Sequence, residues 1–342
     1  MGTAPLTPME DLFGHRISYL RVSITDRCNE RCEYCMPQTD LDWLPKSEVL
    51  SYEEILRVVR VGAGLGISNI RVTGGEPLTR RDVVWFFEQL SRIPGLRDLG
   101  LSTNGTLLAR PLPDGRTTAR ALRDAGASNV NVSLDTLDRA VYAKTTGRDL
   151  LPDAIAGIEA AREAGFGRIK LNTVLMRHRN EHELWDLAAF AQERGLLLRF
   201  IELMPVSTSE VLTEDNFLSV GEAKRILEFR LGKLLPRPDI RTNGPASYYE
   251  VAATGQILGF IGAMTNLHFC ETCNKLRLTC EGKLRPCLGS HLEFDLRAVL
   301  RDPAMDDADL ARFFREVVAS KPEKHDFREN YQPRRRMVAI GG

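Results

Sequence analysis

Between about residues 17 and 230, short apolar stretches alternate with longer ones whose apolar positions recur at helical spacing. The extended stretches are residues 17–24, 69–73, 98–103, 129–134, 168–175 and 197–203. Amphipathic segments 52–64, 81–91, 117–125, 153–164 and 181–194 lie between them. Six βα units in succession predict an α/β fold with a parallel sheet, either a partial (β/α) barrel or an open doubly wound sheet. After about residue 231 the rhythm changes. Segments 247–252 and 256–262 read as a hairpin, 270–288 as a cysteine-bearing hairpin turning at Gly282, and 295–321 as a helix. The expected organisation is an N-terminal segment 1–16, a parallel α/β unit 17–230, and a C-terminal region 231–342 that packs on the barrel or covers its mouth.

Polar residues gather where strands end: Thr73-Gly74-Gly75-Glu76-Pro77, Ser102-Thr103-Asn104-Gly105, Ser133-Leu134-Asp135 and Glu202-Leu203-Met204-Pro205. The carboxyl ends of parallel strands converge on one face, where ligands bind in this class of fold. A first group of cysteines, Cys28, Cys32 and Cys35, follows the first strand and would join that face.

Composition narrows the partners. Lys+Arg and Asp+Glu both total 46, so no global field favours nucleic acid or a membrane surface, and an anionic ligand needs a local basic pocket. No apolar run approaches the roughly 18 residues of a membrane span, and the first 16 residues lack the apolar core of a secretory signal. The seven cysteines form a group of three and a group of four, more than two hundred residues apart. That distribution predicts metal ligation in a reducing cytoplasm rather than disulfides.

Cys28, Cys32 and Cys35 follow C-x3-C-x2-C. Three thiolates can hold three corners of a [4Fe–4S] cubane and leave the fourth iron open to a small molecule, the alternative being a structural metal knuckle. The second group is Cys270, Cys273, Cys280 and Cys287. A closed four-cysteine zinc site would use all of them. Strand parity puts Cys273, Lys275 and Arg277 on one face and Leu276, Leu278 and Cys280 on the other, which leaves Cys270, Cys273 and Cys287 as a second open triad.

With these cysteines beside Tyr34 and with Gly74-Gly75-Glu76-Pro77 after the second strand, the chain resembles the radical S-adenosylmethionine superfamily. The second triad and the Ile340-Gly341-Gly342 end make it similar to the GTP 3′,8-cyclases of molybdenum cofactor biosynthesis, from Arg21 to the last residue. The resemblance implies a partial (β/α)6 TIM-like barrel with a C-terminal extension carrying a second iron–sulfur cluster. It implies two [4Fe–4S] clusters, S-adenosyl-L-methionine as cofactor and GTP as substrate. Carried over by position, Tyr34, Gly75, Ser133 and Met204 would contact S-adenosylmethionine. Arg21, Arg71, Ser102, Lys170, Lys275, Leu276 and Arg277 would contact GTP, with Arg199 a weaker candidate. Arg21 and the tail residues Gly341 and Gly342 would assist cyclisation. Expected partners are a reductant or electron-donor protein and, downstream, cyclic pyranopterin monophosphate synthase, with a homodimer as one possible assembly.

The family commonly has Arg, Lys and Thr where this chain has Lys275, Asn69 and Ser102. Lys275 lacks a bidentate fork and Asn69 lacks a charge; Arg179 and Arg285 are the candidate replacements. Two rival readings are a radical S-adenosylmethionine peptide maturase with an auxiliary cluster and a non-enzymatic iron or zinc sensor.

Overall fold

The computed structural model describes residues 8–36, 43–206, 212–240, 242–329, 331 and 335–341. The chain begins with β1 (Tyr19–Ser23), α1 (Tyr52–Gly64), β2 (Asn69–Thr73), α2 (Val83–Ser91), β3 (Asp98–Thr103), α3 (Thr118–Asp124) and β4 (Asn129–Ser133). It continues through α4 (Arg139–Thr146), α5 (Leu151–Glu163), β5 (Arg168–Leu175), α6 (Leu184–Glu193), β6 (Leu197–Glu202) and α7 (Val220–Leu231). The C-terminal part holds β7 (Leu234–Pro236), β8 (Ser247–Val251), β9 (Ile257–Ile261), β10 (Lys275–Leu278), β11 (Lys283–Arg285) and β12 (Phe294–Asp295). Helices α8 (Leu296–Arg301), α9 (Asp307–Ala319) and α10 (Met337–Ile340) close it.

Strands β1 to β6 are parallel and lie in sequence order. That order lacks the reversal of a doubly wound sheet and is the order of a partial (β/α)6 barrel. The C-terminal region extends both edges of the sheet. β10 pairs parallel with β1 and leads to β11 and β12, while β9 pairs parallel with β6 and leads to β8 and β7. The two predicted hairpins are therefore the outer strands of one twelve-stranded sheet, and both edges of the barrel are covered.

Alternation along the strands sorts the chemistry. Leu20, Val22, Ile70, Val72, Leu101, Val130, Val132, Leu171 and Leu198 are fully or almost fully buried in the core shared with the helices. Their neighbours on the opposite face, among them Arg21, Arg71, Asn129, Asn131, Lys170 and Arg199, line the barrel interior. Parallel register sets those side chains in rows: Arg277, Arg21, Arg71, Gly100 and Asn129 form one, and Ser133, Asn172 and Arg199 another.

The helices are placed by local signals. A capping box of Ser51 and Glu54 starts α1, whose face of Ile55, Val58 and Val59 is buried. The expected single helix 295–321 is two. Asp302 takes an extended conformation ahead of Pro303, which ends α8, and the Asp306 capping box opens α9.

Candidate active site

A cavity of about 560 Å³ occupies the barrel interior. Among the described residues seven cations line it: Arg21, Arg71, Arg168, Lys170, Arg199, Lys275 and Arg277. Cys270, Cys273 and Cys287 line the same cavity, as do Met204 and Met337. Ser102 and Leu276 are not among its lining residues; Leu276 is fully buried in the core, where strand alternation sends it. Neither suggested replacement for a cation at Asn69 reaches the cavity. Arg179 pairs with Glu33 beside a separate pocket, and Arg285 is buried against Glu293 and the Ser290 carbonyl. Arg168 and Arg199 are the added charges instead. Asn69 pairs with Asn243, which also donates to Asp98 and brings the 242–245 loop to the cavity wall.

Crowding makes this interior receptive to anions. Burial, then repulsion from Arg199 and Arg71, lowers the Lys170 ammonium to about 7. Burial lowers Arg199 to about 10, and burial with the Arg21 charge lowers Arg277 to about 9. A polyanion would relieve all three. Two arginines also need glycine neighbours. A Cβ on Gly100 would stand 2.3 Å from the Arg71 Cζ, and one on Gly259 would stand 2.8 Å from the Arg199 Cγ. Arg71 is held there by Nε donating to the Tyr19 hydroxyl and Nη1 donating to the Leu101 carbonyl, both at 3.0 Å.

The first triad belongs to a neighbouring assembly at the strand ends. Gly75 lies so close to the loop ahead of Cys28 that a Cβ there would meet the Arg27 carbonyl oxygen at 2.3 Å. The Gly75 N–H donates to the Thr25 carbonyl and the Glu76 N–H to the Arg27 carbonyl. The Glu76 carboxylate accepts from Thr103, Asn104 and Leu78, so it ties two strand-end loops together. Tyr34 donates to Asp135 at 2.6 Å, and Ser133 is exposed at the end of β4. Tyr142 donates to Glu30 at 2.5 Å beside Cys32. Burial raises Glu76 and Glu30 to about 7 and Asp135 to about 6.

Each triad is a mutually facing set of thiols. Burial pushes Cys32 up, and the charges of Glu30, Cys35 and Cys28 add to it. Burial also raises Cys287, to about 11, with Cys273 and Cys270 among its electrostatic neighbours. Among the described residues no three Cys, His, Asp or Glu side chains are grouped to hold one metal ion. Three thiols are the donor set of a cubane, in which each cysteine binds a different iron. Cys280 is fully buried, and its neighbours are Asp26, Glu281, Ser23 and Arg80 rather than either triad.

Helix α10 lies between the two assemblies. Met337 lines the cavity, the Val338 backbone faces the Cys35 sulfur, and the Gly341 carbonyl accepts from Arg277 at 2.8 Å. Gly341 has φ +84°, and its missing Cβ would crowd Ser23 and Thr73 at 3.0 Å. Gly342 lies outside the described residues. Sequence reasoning passed over Asn129 and Asn131, whose buried Oδ1 atoms have no hydrogen-bond partner on this wall, and Lys321 beside Cys273. For the asparagines a signal was present: helix-covered parallel strands are normally continuous apolar runs, so the alternation in Asn129-Val130-Asn131-Val132-Ser133 marks a polar interior.

Known proteins share this plan. A model of the radical SAM superfamily matches residues 22–191, and a model of Molybdenum Cofactor Synthesis C matches residues 196–327. A GTP 3′,8-cyclase of Pelotomaculum thermopropionicum is 42% identical over 98% of this chain and 100% of its own length. One from Erythrobacter litoralis is 46% identical over 97% and 98%. Among solved structures, Streptococcus suis SuiB bound to its precursor peptide SuiA superposes with a TM-score of 0.61 at 16% identity, covering 96% of this chain and 76% of that one. Native anSMEcpe with bound AdoMet gives 0.60 at 15% identity, covering 90% and 82%. These two structures share the fold alone. By its full-length relatives, the chain belongs to the GTP 3′,8-cyclase family of the radical SAM superfamily.

Proposed function

We propose that the chain converts GTP to (8S)-3′,8-cyclo-7,8-dihydroguanosine 5′-triphosphate, the first step of molybdenum cofactor biosynthesis. The observation that carries this reading is a single cavity that joins seven cations to a three-cysteine set. Such a wall suits a nucleoside triphosphate: charge for the phosphates at one part and an open iron for the base at another.

Cys28, Cys32 and Cys35 would hold the first [4Fe–4S] cluster, and Cys270, Cys273 and Cys287 a second, whose open iron would take the guanine. When bound, the first cluster and S-adenosylmethionine would supply the radical chemistry that activates C3′ of GTP for bonding to C8. The remaining work falls to side chains. Arg21, Arg71, Lys170, Arg199, Lys275 and Arg277 neutralise the triphosphate, and Lys170 accepts a proton as the anion arrives. Gly75 keeps the strand-end loop close to the first triad, and Tyr34 holds Asp135 in place beside it. Ser133 and Met204, at strand ends, would contact S-adenosylmethionine. Buried Val338 and Ile340 exclude water between the two assemblies, with Gly341 anchored on Arg277.

An external reductant must supply electrons, and the product passes to a cyclic pyranopterin monophosphate synthase. No helix of the described residues is long and apolar enough to cross a membrane, and a cytoplasmic location agrees with reduced thiols. The deciding experiment is anaerobic incubation with reductant, S-adenosylmethionine and GTP, followed by mass spectrometry. A GTP-derived isomer is expected together with 5′-deoxyadenosine. 5′-Deoxyadenosine without that isomer would reject this substrate and favour a peptide maturase.

A further inference from the structure

Lys321, two residues past α9, is only 4% exposed. Lysine is rarely buried this deeply unless its charge is compensated. Its ammonium has three N–H donors, and three acceptors meet them. Nζ lies 2.6 Å from the Pro286 carbonyl oxygen, 3.2 Å from the Lys275 carbonyl oxygen and 3.5 Å from the Cys273 Sγ. None of these partners is a carboxylate. The anion that completes the set is the Cys273 sulfur in its ligand form.

The partners come from both arms of the second triad. Cys273 and Lys275 enter β10, and Pro286 follows β11 immediately before Cys287. One side chain thus ties together the two loop segments that present Cys273 and Cys287. Its charge also bears on Cys270 and Cys287. The first triad has the opposite surroundings, with the carboxylates of Glu30 and Glu76 nearby. An electron added to an iron–sulfur group makes it more negative, so an adjacent fixed cation and an N–H donor on a ligand sulfur both favour the reduced form.

We propose that Lys321 is a positioning residue for the iron–sulfur group of the second triad, strapping its two arms and raising its reduction potential through the ammonium on Cys273. The proposal rests on the second-cluster reading given above. In this role the electron comes from the external reductant.

The test uses the full chain with Cys28, Cys32 and Cys35 replaced by alanine, reconstituted anaerobically so that only the second triad holds a cluster. Redox titration followed by electron paramagnetic resonance then compares Lys321 with K321Q, K321M and K321R. At the potential where the Lys321 chain is half reduced, either neutral variant that retains iron should show at least a tenfold lower reduced-to-oxidised ratio. For a one-electron couple that is a shift of about 59 mV to the negative side. K321R should stay within about threefold. A K321Q or K321M ratio within twofold of the Lys321 chain overturns the proposal. So does loss of iron from both neutral variants with retention in K321R, which would make Lys321 a structural strap alone. A Lys321 chain that takes up zinc, or no iron, shows instead that the second-cluster reading has failed.

Discussion

The seat of Arg71 gives the sharpest test of the cavity. Replacing Gly100 by alanine adds one Cβ, which would stand 2.3 Å from the guanidinium Cζ and Nη1 and 2.6 Å from Nη2. Ordinary carbon contacts lie at about 3.5–4.0 Å, so the guanidinium must retreat by about 1.2 Å or more. That movement breaks its bonds to Tyr19 and the Leu101 carbonyl. The backbone at Gly100 is not in the left-handed region, so alanine itself is unstrained and stiffens the unfolded chain. Water in the cavity can replace the lost hydrogen bonds, each worth a net ~0.5–1.5 kcal/mol. Stability should therefore fall by only about 0–2.6 kcal/mol once the alanine gain of ~0.4–1 kcal/mol is set against that loss. Binding should suffer more. A hydrogen-bonded contact to a charged group is worth about 1.5–3 kcal/mol, which is roughly 10–150-fold in the GTP dissociation constant. Calorimetry on the anaerobic enzyme measures that constant, and thermal melting checks the fold. In an Arg71→Ala background the same Gly100→Ala change should cost almost nothing further, because the clashing group is gone. Binding of GTP by G100A within twofold of the parent, or full additivity with Arg71→Ala, would refute the reasoning.

Three further outcomes are expected. Removing Gly341 and Gly342 should leave both clusters and S-adenosylmethionine cleavage intact but abolish the cyclised product; full product from the truncated enzyme would sink this role for the tail. GTP binding near pH 8 should take up about one proton at Lys170, because its pKa of about 7 rises beside phosphate, so affinity falls as pH climbs above 7. The sign for the free protein follows: with its folded value lowered, Lys170 adds stability as pH rises from about 7 towards the unfolded value near 10.4. Calorimetry in buffers of different ionisation enthalpy reads the uptake, and Lys170→Met should remove it. Cys280→Ala should retain about eight irons per chain and lose no more than about 1–2 kcal/mol, whereas a four-cysteine zinc site would lose its metal.

The barrel was legible because six strands and most helices carry strong periodicity; 52–64 was read to the residue as α1. Helix α4 was missed because Arg139–Thr146 is short and only weakly amphipathic, and its Asp138 cap marks the start more clearly than its apolar spacing does. The division of 295–321 has a sequence signal in Asp302-Pro303, which ends α8. At the site, spacing revealed both triads because their ligands are close in sequence. Lys321 lies 48 residues beyond Cys273, and no local pattern announces the contact. The convergence of β9 and β10 on opposite edges likewise depends on where the sheet ends, which local sequence does not encode.

The neutral total conceals a segregation of charge with a kinetic meaning. Seven cations face the cavity, and Asp98 is the acid among its described lining residues. Outside, exposed pairs such as Arg57–Asp307, Arg116–Asp114 and Arg139–Asp149 balance their own charges and contribute little to stability. A ligand more than a Debye length of about 8 Å away therefore meets almost no net field. Inside, low dielectric and mutual repulsion make each cation far more effective than the same charge in water. On the proposed reading, selection of a polyanion would occur at short range, within the chamber that also holds Cys270, Cys273 and Cys287. The same design keeps the carboxylate-rich surroundings of Cys28, Cys32 and Cys35 apart from the cationic wall. The tail, with its Gly341 carbonyl on Arg277 and its Val338 backbone at Cys35, touches both.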